Sequence, residues 1–196
     1  MGRKATVTKE KILETGFDMI EESGYQSVNI KTLAAKVGCS TQPISWHFGN
    51  MGELRKELFR YCEDRMWGGI EERFDMNEPV SAFFETGKNF ISIAAEHKNL
   101  FRFLYVDDPG SVFGGDKSLI DSLGDSRIIS SMAKHYGRRQ EEMRRVITDV
   151  VIYTFGVAML LTWTHSGLTK DDAFAMIYNE GRERFKAMGI EIGEMK

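Results

Sequence analysis

Between Gly38-Cys39-Ser40 and Gly49-Asn50 lie eight residues, TQPISWHF, whose side chains suit reading a surface rather than breaking a bond. On a helix turning about 100° per residue, Ile44 and Phe48 mark one side. Gln42 and Trp46 fall opposite, flanked by Pro43 and Ser45, with Thr41 at the N-terminal end. A tryptophan turned to solvent beside a glutamine does little for a core. Both suit the major groove of DNA, where a Gln amide bonds bidentately to adenine and apolar atoms of Thr or Trp meet a thymine methyl. His47 lies at the edge of this face, within reach of a phosphate. No comparable set points to catalysis. His47, His97, His135 and His165 are far apart and form no HExxH, and Cys39 and Cys62 form no CxxC. GxSxG and GxGxxG are absent too. The chain therefore reads as a protein that is not an enzyme and needs no metal or cofactor.

The elements that must hold this face come next. A first helix is expected from about Thr8, its N-cap, to Ser23, with Leu13, Phe17 and Ile20 as an apolar stripe and Gly24 as the stop. Asn29 caps a second helix whose buried stripe is Ile30, Leu33, Ala34 and Val37. Gly38 ends it, and Ser40 caps the third helix, Thr41 to Phe48. Pro43 lies in the first turn, where a missing N–H costs nothing. Two short helices joined by Gly38-Cys39-Ser40 have the form of a helix-turn-helix. After Gly49-Asn50 a fourth helix is expected from about Met51 to Glu72.

Further helices are expected at Val80–Glu96, Lys98–Val106, from Ser118 or later to Tyr136, at Arg138–His165 and at Lys170–Met188, with a loop over Asp107–Lys117. No strand pattern stands out. With three prolines in 196 residues the fold class is all-α. Residues 1–50 form a three-helix DNA-binding domain and 51–196 a larger helical domain. The net charge is −3, but residues 1–60 carry nine Lys/Arg against seven Asp/Glu, so a +2 head sits on a −5 body. The polar start MGRKATVTKEK predicts no signal peptide, and two cysteines predict no disulfide framework, so a cytoplasmic location follows. The apolar run Val150 to Trp163 is shorter than a membrane span and reads as a core or interface helix.

The stretch IKTLAAKVGCSTQPISWHFGNMGELRKELF resembles the TetR-type DNA-binding motif. Ala34, Gly38, Ser40, Ile44, His47, Phe48, Asn50, Glu53 and Leu54 fall where that pattern expects them, and Ile12-Leu13 through Gly24-Tyr25 match upstream. The resemblance covers about residues 8–60. Two positions depart from it: Ser45 stands where the family usually has tyrosine, and Met51 where it has lysine. Each departure removes a usual phosphate contact. The resemblance implies DNA contacts from Asn29, Lys31, Ser40, Thr41, Gln42, Pro43, Ser45, Trp46, His47 and Asn50.

It also implies a homodimer on a palindromic operator, paired through the last two helices. Val150, Phe155, Phe174, Ile177, Tyr178, Gly181 and Phe185 are the interface candidates, and the stripe on the last helix should be exposed in a single chain. A pocket for a small apolar or amphipathic effector is implied within about residues 60–170. Phe83, Phe84, Phe90, Phe101, Phe103, Tyr105, Met159 and Trp163 are its candidate lining. The whole reads as a repressor released from DNA by its ligand. The rival is a protein of the same fold that holds DNA weakly and acts through a protein partner.

Overall fold

A computed structural model describes residues 7–75, 77–107 and 126–193. Among them are nine α-helices: α1 (Lys9–Ser23), α2 (Ile30–Val37), α3 (Thr41–Phe48), α4 (Met51–Trp67), α5 (Pro79–Glu96), α6 (Lys98–Tyr105), α7 (Ser126–His135), α8 (Gln140–Thr162) and α9 (Lys170–Ala187). The chain forms two compact units, one from residues 1–68 and 97–114, the other from 69–96 and 115–196. Most of the expected loop Asp107–Lys117, and the start of the helix expected after it, lie outside the described residues.

The first unit is built by local rules. Thr8 caps α1 by accepting from the Lys11 N–H at 3.2 Å. Asn29 accepts from the N–H groups of Lys31 and Thr32, and Thr32 accepts in return from the Asn29 N–H, a complete capping box. Gly38 ends α2 in the left-handed region at φ +80°. Ser40 stands at the N-cap position of α3, but its side chain makes no cap hydrogen bond. Asn50 does cap α4, accepting from the Glu53 N–H at 3.0 Å. The core joins Ile12 and Ile20 of α1, Leu33 of α2, Ile44 and Phe48 of α3, Leu54 and Leu58 of α4, and Leu100, Phe103 and Leu104 of α6.

Helix α4 stops at Trp67, five residues before the expected Glu72. Gly68 breaks it, Gly69 follows at φ +76°, and Ile70–Arg73 form a single 3₁₀ turn. This break coincides with the boundary between the units. The chain re-enters the first unit at His97. There α6 is tied down at both ends. His97 Nδ1 lies 2.8 Å from Glu21 Oε1, and Asn99 donates to the Glu21 carbonyl at 2.9 Å. At the far end Arg55 donates to the Asp107 carbonyl at 2.5 Å, and its guanidinium covers the Tyr25 ring, which stacks on Phe103 at 4.7 Å.

The second unit packs α5, α7, α8 and α9 around Phe83, Phe84, Ile129, Met132, Met143, Ile147, Tyr178 and Phe185. Thr169 and Asp172 form a capping box at the start of α9. Helix α8 has 23 residues and is long and apolar enough, by those measures alone, to cross a membrane. Its buried residues, from Met143 to Leu161, follow helical spacing, as expected of a helix packed on one side within a helical core.

Packing of α9 corrects one expectation. Ile177, Tyr178 and Phe185 are not exposed in a single chain; they and Val150 are buried within it. The reason is Gly181. A Cβ there would stand 2.7 Å from the Phe84 ring, so the bare glycine lets α5 close on α9 and cover the stripe. Gly181→Val should therefore lower stability by about 1–3 kcal/mol, because the Phe84 ring is hemmed in by Phe83, Tyr178 and Phe185. Urea denaturation followed by circular dichroism measures this, and an unchanged midpoint would contradict the packing described.

Candidate nucleic-acid interface

Helix α3 presents two unlike faces. Ile44 and Phe48 are sunk in the first unit's core. Thr41, Gln42, Ser45 and Trp46 are exposed, and Trp46 is 79% accessible. Pro43 and His47 are half-buried between the two faces. The four outward side chains are uncharged, so this face offers hydrogen-bond donors, acceptors and an indole plate, but no ionic pull of its own.

The flanking residues hold the helix ends. The Oδ1 atoms of Asn29 and Asn50 are committed to the caps of α2 and α4. Their amide NH₂ groups stay on exposed residues beside helix N-termini, whose free N–H groups favour an anion. Ser40 is exposed in the turn before α3 and makes no cap hydrogen bond.

Charge in this unit is mostly spent internally. Lys9 pairs with Glu57 at 3.0 Å, Lys11 with Glu14 at 2.9 Å, Lys36 with Glu22 at 3.0 Å and Lys56 with Glu53 at 2.9 Å. The Lys56 ammonium also holds the exposed Glu53 carboxyl below the usual range, chiefly by hydrogen bonding. Exposed Lys31, by contrast, has no carboxylate partner among the described residues. Met51, where a lysine was looked for, packs its side chain on the core.

His47 does something its place on the wheel did not reveal. Its Nε2 donates to the Val7 carbonyl at 3.0 Å, forty residues away in sequence. The ring meets the Trp46 indole edge-on at 4.7 Å. The contact ties the start of α1 to the last turn of α3. No periodicity could have signalled it, since Val7 precedes the first helix.

The candidate pocket residues are divided between the two units. Phe83 and Phe84 fill the second unit's core against Phe185 and Tyr178. Phe90 and Phe155, half-buried, face each other at 6.0 Å, and Met159 is half-buried one turn beyond Phe155. Trp163 is 57% exposed. Phe101, Phe103 and Tyr105 belong to the first unit. Phe103 is wholly buried on Tyr25, and the Tyr105 oxygen accepts from Trp67 Nε1 at 2.6 Å. Burial pushes the Tyr105 phenol well above its ordinary range.

The candidate interface residues separate by burial. Val150, Ile177, Tyr178, Gly181 and Phe185 are interior, while Phe155 and Phe174 are half-buried. Among the described residues of the second unit, the large apolar groups facing outward are Ile152 and Leu160 of α8 and Trp163 at its C-cap.

Residues 12–58 match the family of bacterial regulatory proteins described as the tetR family. No curated protein matches the chain. Among solved structures, a TetR-like transcriptional regulator from Rhodococcus sp. RHA1 aligns with a TM-score of 0.66 at 15% identity, over 97% of this chain and 100% of its own. A second transcriptional regulator from the same organism aligns with a TM-score of 0.65 at 15% identity, over 96% and 100%. A TetR variant from Acinetobacter baumannii AYE, solved in complex with minocycline, gives a TM-score of 0.59 at 14% identity, over 94% and 99%. Members of the family are transcriptional regulators rather than enzymes. Residues 12–58 are thus similar to the DNA-binding segment of the tetR family of bacterial regulatory proteins, and the chain as a whole shares the fold of solved TetR-like transcriptional regulators.

Proposed function

We propose that this protein is a cytoplasmic, sequence-specific DNA-binding regulator whose helix α3 enters the major groove. The observation that carries the reading is the outer face of α3. Thr41, Gln42, Ser45 and a 79% exposed Trp46 stand on a helix whose inner face is locked in a core. A large indole left in water has no folding purpose, and beside Gln42 it suits an A·T step. Lys31, Asn29, Ser40 and Asn50 border that face and suit phosphate oxygens. In this reading residues 1–50 read DNA and the remaining helices pair and sense. Gln42→Ala and Trp46→Ala should each weaken binding to a selected duplex by about 1–3 kcal/mol while leaving the fold intact. Binding to the selected duplex and to its scrambled counterpart decides it. Equal affinities for wild type and variants on both would favour the rival, sequence-blind holding of DNA by a protein that works through a partner.

We also infer a homodimer. Ile152, Gly156 and Leu160 recur at helical spacing on the outer face of α8, with exposed Trp163 directly after it. Its chain neighbours and own helix backbone aside, no atom of the described residues lies within 4 Å of a Cβ placed at Gly156. An open glycine within an apolar stripe lets a second helix approach closely. Two α3 helices about one DNA turn apart would then read a palindrome. Light scattering at micromolar concentration should give twice the 22.4 kDa chain mass, and Ile152→Glu with Trp163→Glu should give the chain mass. A wild-type protein that runs at the chain mass would exclude the dimer.

The effector reading makes the protein a repressor that releases its operator on binding an apolar or amphipathic small molecule in the larger domain. Half-buried Phe90, Phe155 and Met159 support it, as apolar side chains not wholly absorbed into a core. Linkage requires that duplex and effector weaken each other by one factor. Titrating amphipathic aromatic compounds with and without duplex reads both sides. A compound bound tightly in both cases, with operator affinity unchanged, would refute the coupling.

A further inference from the structure

Helix α3 contains no arginine, lysine, aspartate or glutamate. It therefore lacks two strong polar codes of the major groove, a cation on guanine O6 and N7 and a carboxylate on the cytosine amino group. The one ring of α3 with a second polar code to offer is engaged, because His47 Nε2 donates to the Val7 carbonyl at 3.0 Å. Thr41 and Ser45 carry hydroxyls, which suit any base. Discrimination is left to Gln42 and Trp46, both exposed and four residues apart. Gln42 suits the adenine edge. The Trp46 indole offers apolar surface and a single N–H donor. The apolar group that a base edge presents in the major groove is the C5 methyl of thymine.

Trp46 is 79% exposed, yet it is not left loose. The His47 ring stands against it edge-on, with centroids 4.7 Å apart and planes at 66°. His47 is itself tied to Val7, whose side chain packs on the first unit's core. A braced side chain loses less freedom when it makes a contact. One helical turn, about 5.4 Å, separates Trp46 from Gln42, against about 3.4 Å per base pair. The two side chains thus address bases in different pairs, and the methyl that Trp46 meets is not on the partner of the adenine that Gln42 reads. That methyl is not peculiar to thymine. Cytosine methylated at C5 places the same group at the same point of the groove, on a G·C pair.

We propose that Trp46 reads the C5 methyl group of a pyrimidine, so that the protein distinguishes thymine from uracil, and 5-methylcytosine from cytosine, at one position of its site. This rests on the DNA-binding reading above and adds a form of regulation to it: methylation of a cytosine at that position strengthens binding.

The test uses the full chain and a duplex selected from a random pool by the wild-type protein. Each thymine of the site is replaced in turn by uracil, which removes the methyl and nothing else. Where Trp46 makes its contact, affinity should fall about fourfold, the worth of one buried methyl. Cytosine and 5-methylcytosine, each paired with guanine, are then compared at that position, and the methylated duplex should bind tighter by about the same factor. Trp46→Ala should bring both ratios to about one, with its circular dichroism unchanged. Gln42→Ala should lower affinity and lose a preference for adenine at another pair, with both ratios kept. A wild type that selects a sequence but tolerates uracil at every thymine overturns the methyl reader and leaves the α3 reading standing. Undiminished ratios in Trp46→Ala overturn it too, because the methyl then belongs to another side chain. Equal binding of cytosine and 5-methylcytosine at the sensitive position overturns the response to methylation. A wild type with no sequence preference overturns both the methyl reader and the α3 reading.

Discussion

Eight residues make little more than two helical turns, and an isolated helix of that length does not hold in water. Helix α3 exists because Ile44 and Phe48 are gripped by neighbours on α1, α2 and α4. That grip has a second consequence. Two of the eight side chains must point inward, and the positions opposite are released from any packing duty. Gln42 and Trp46 can then be chosen for what they touch outside. The rest of the first unit is arranged around this division. Gly16 lets α4 close on α1, because a Cβ there would meet Leu58 at 2.6 Å, and the closed pair is the wall on which α3 leans.

Helix α6 extends that wall from a distant part of the chain. Its anchors differ in kind at the two ends. The His97–Glu21 and Asn99–Glu21 bonds tie its start to the end of α1, while Arg55 and the Tyr25–Phe103 stack secure its finish. In the chain, α6 follows α5 of the second unit after the single residue His97.

The sequence was most informative where the physics is local. Thr8 and Asn29 were legible as caps because a side-chain oxygen three residues before an N–H is a short-range fact. The two faces of α3 were legible because its buried and exposed sets differ sharply. Helix α9 misled for the opposite reason. Ile177, Tyr178 and Phe185 announce that something covers them, but periodicity cannot say whether the cover is a second copy or Phe84 of the same chain. The outward residues Ile152 and Leu160 of α8, and Trp163 just after it, were hidden among apolar neighbours on all sides. The break at Gly68-Gly69 was missed because the flanking residues continue to read as helix, and the His47–Val7 bond because it joins residues forty apart.

The discontinuity of the first unit bears on how the molecule is made. Leu100, Phe103 and Leu104 are wholly buried in the core that supports α3. A nascent chain that has exposed the helix-turn-helix still lacks them, and about half of the 196 residues must be synthesised before they emerge. Chains grow at about 5–20 residues per second, so the interval lasts seconds, long compared with helix formation. During translation the helix-turn-helix segment is thus complete in sequence well before it is complete in structure.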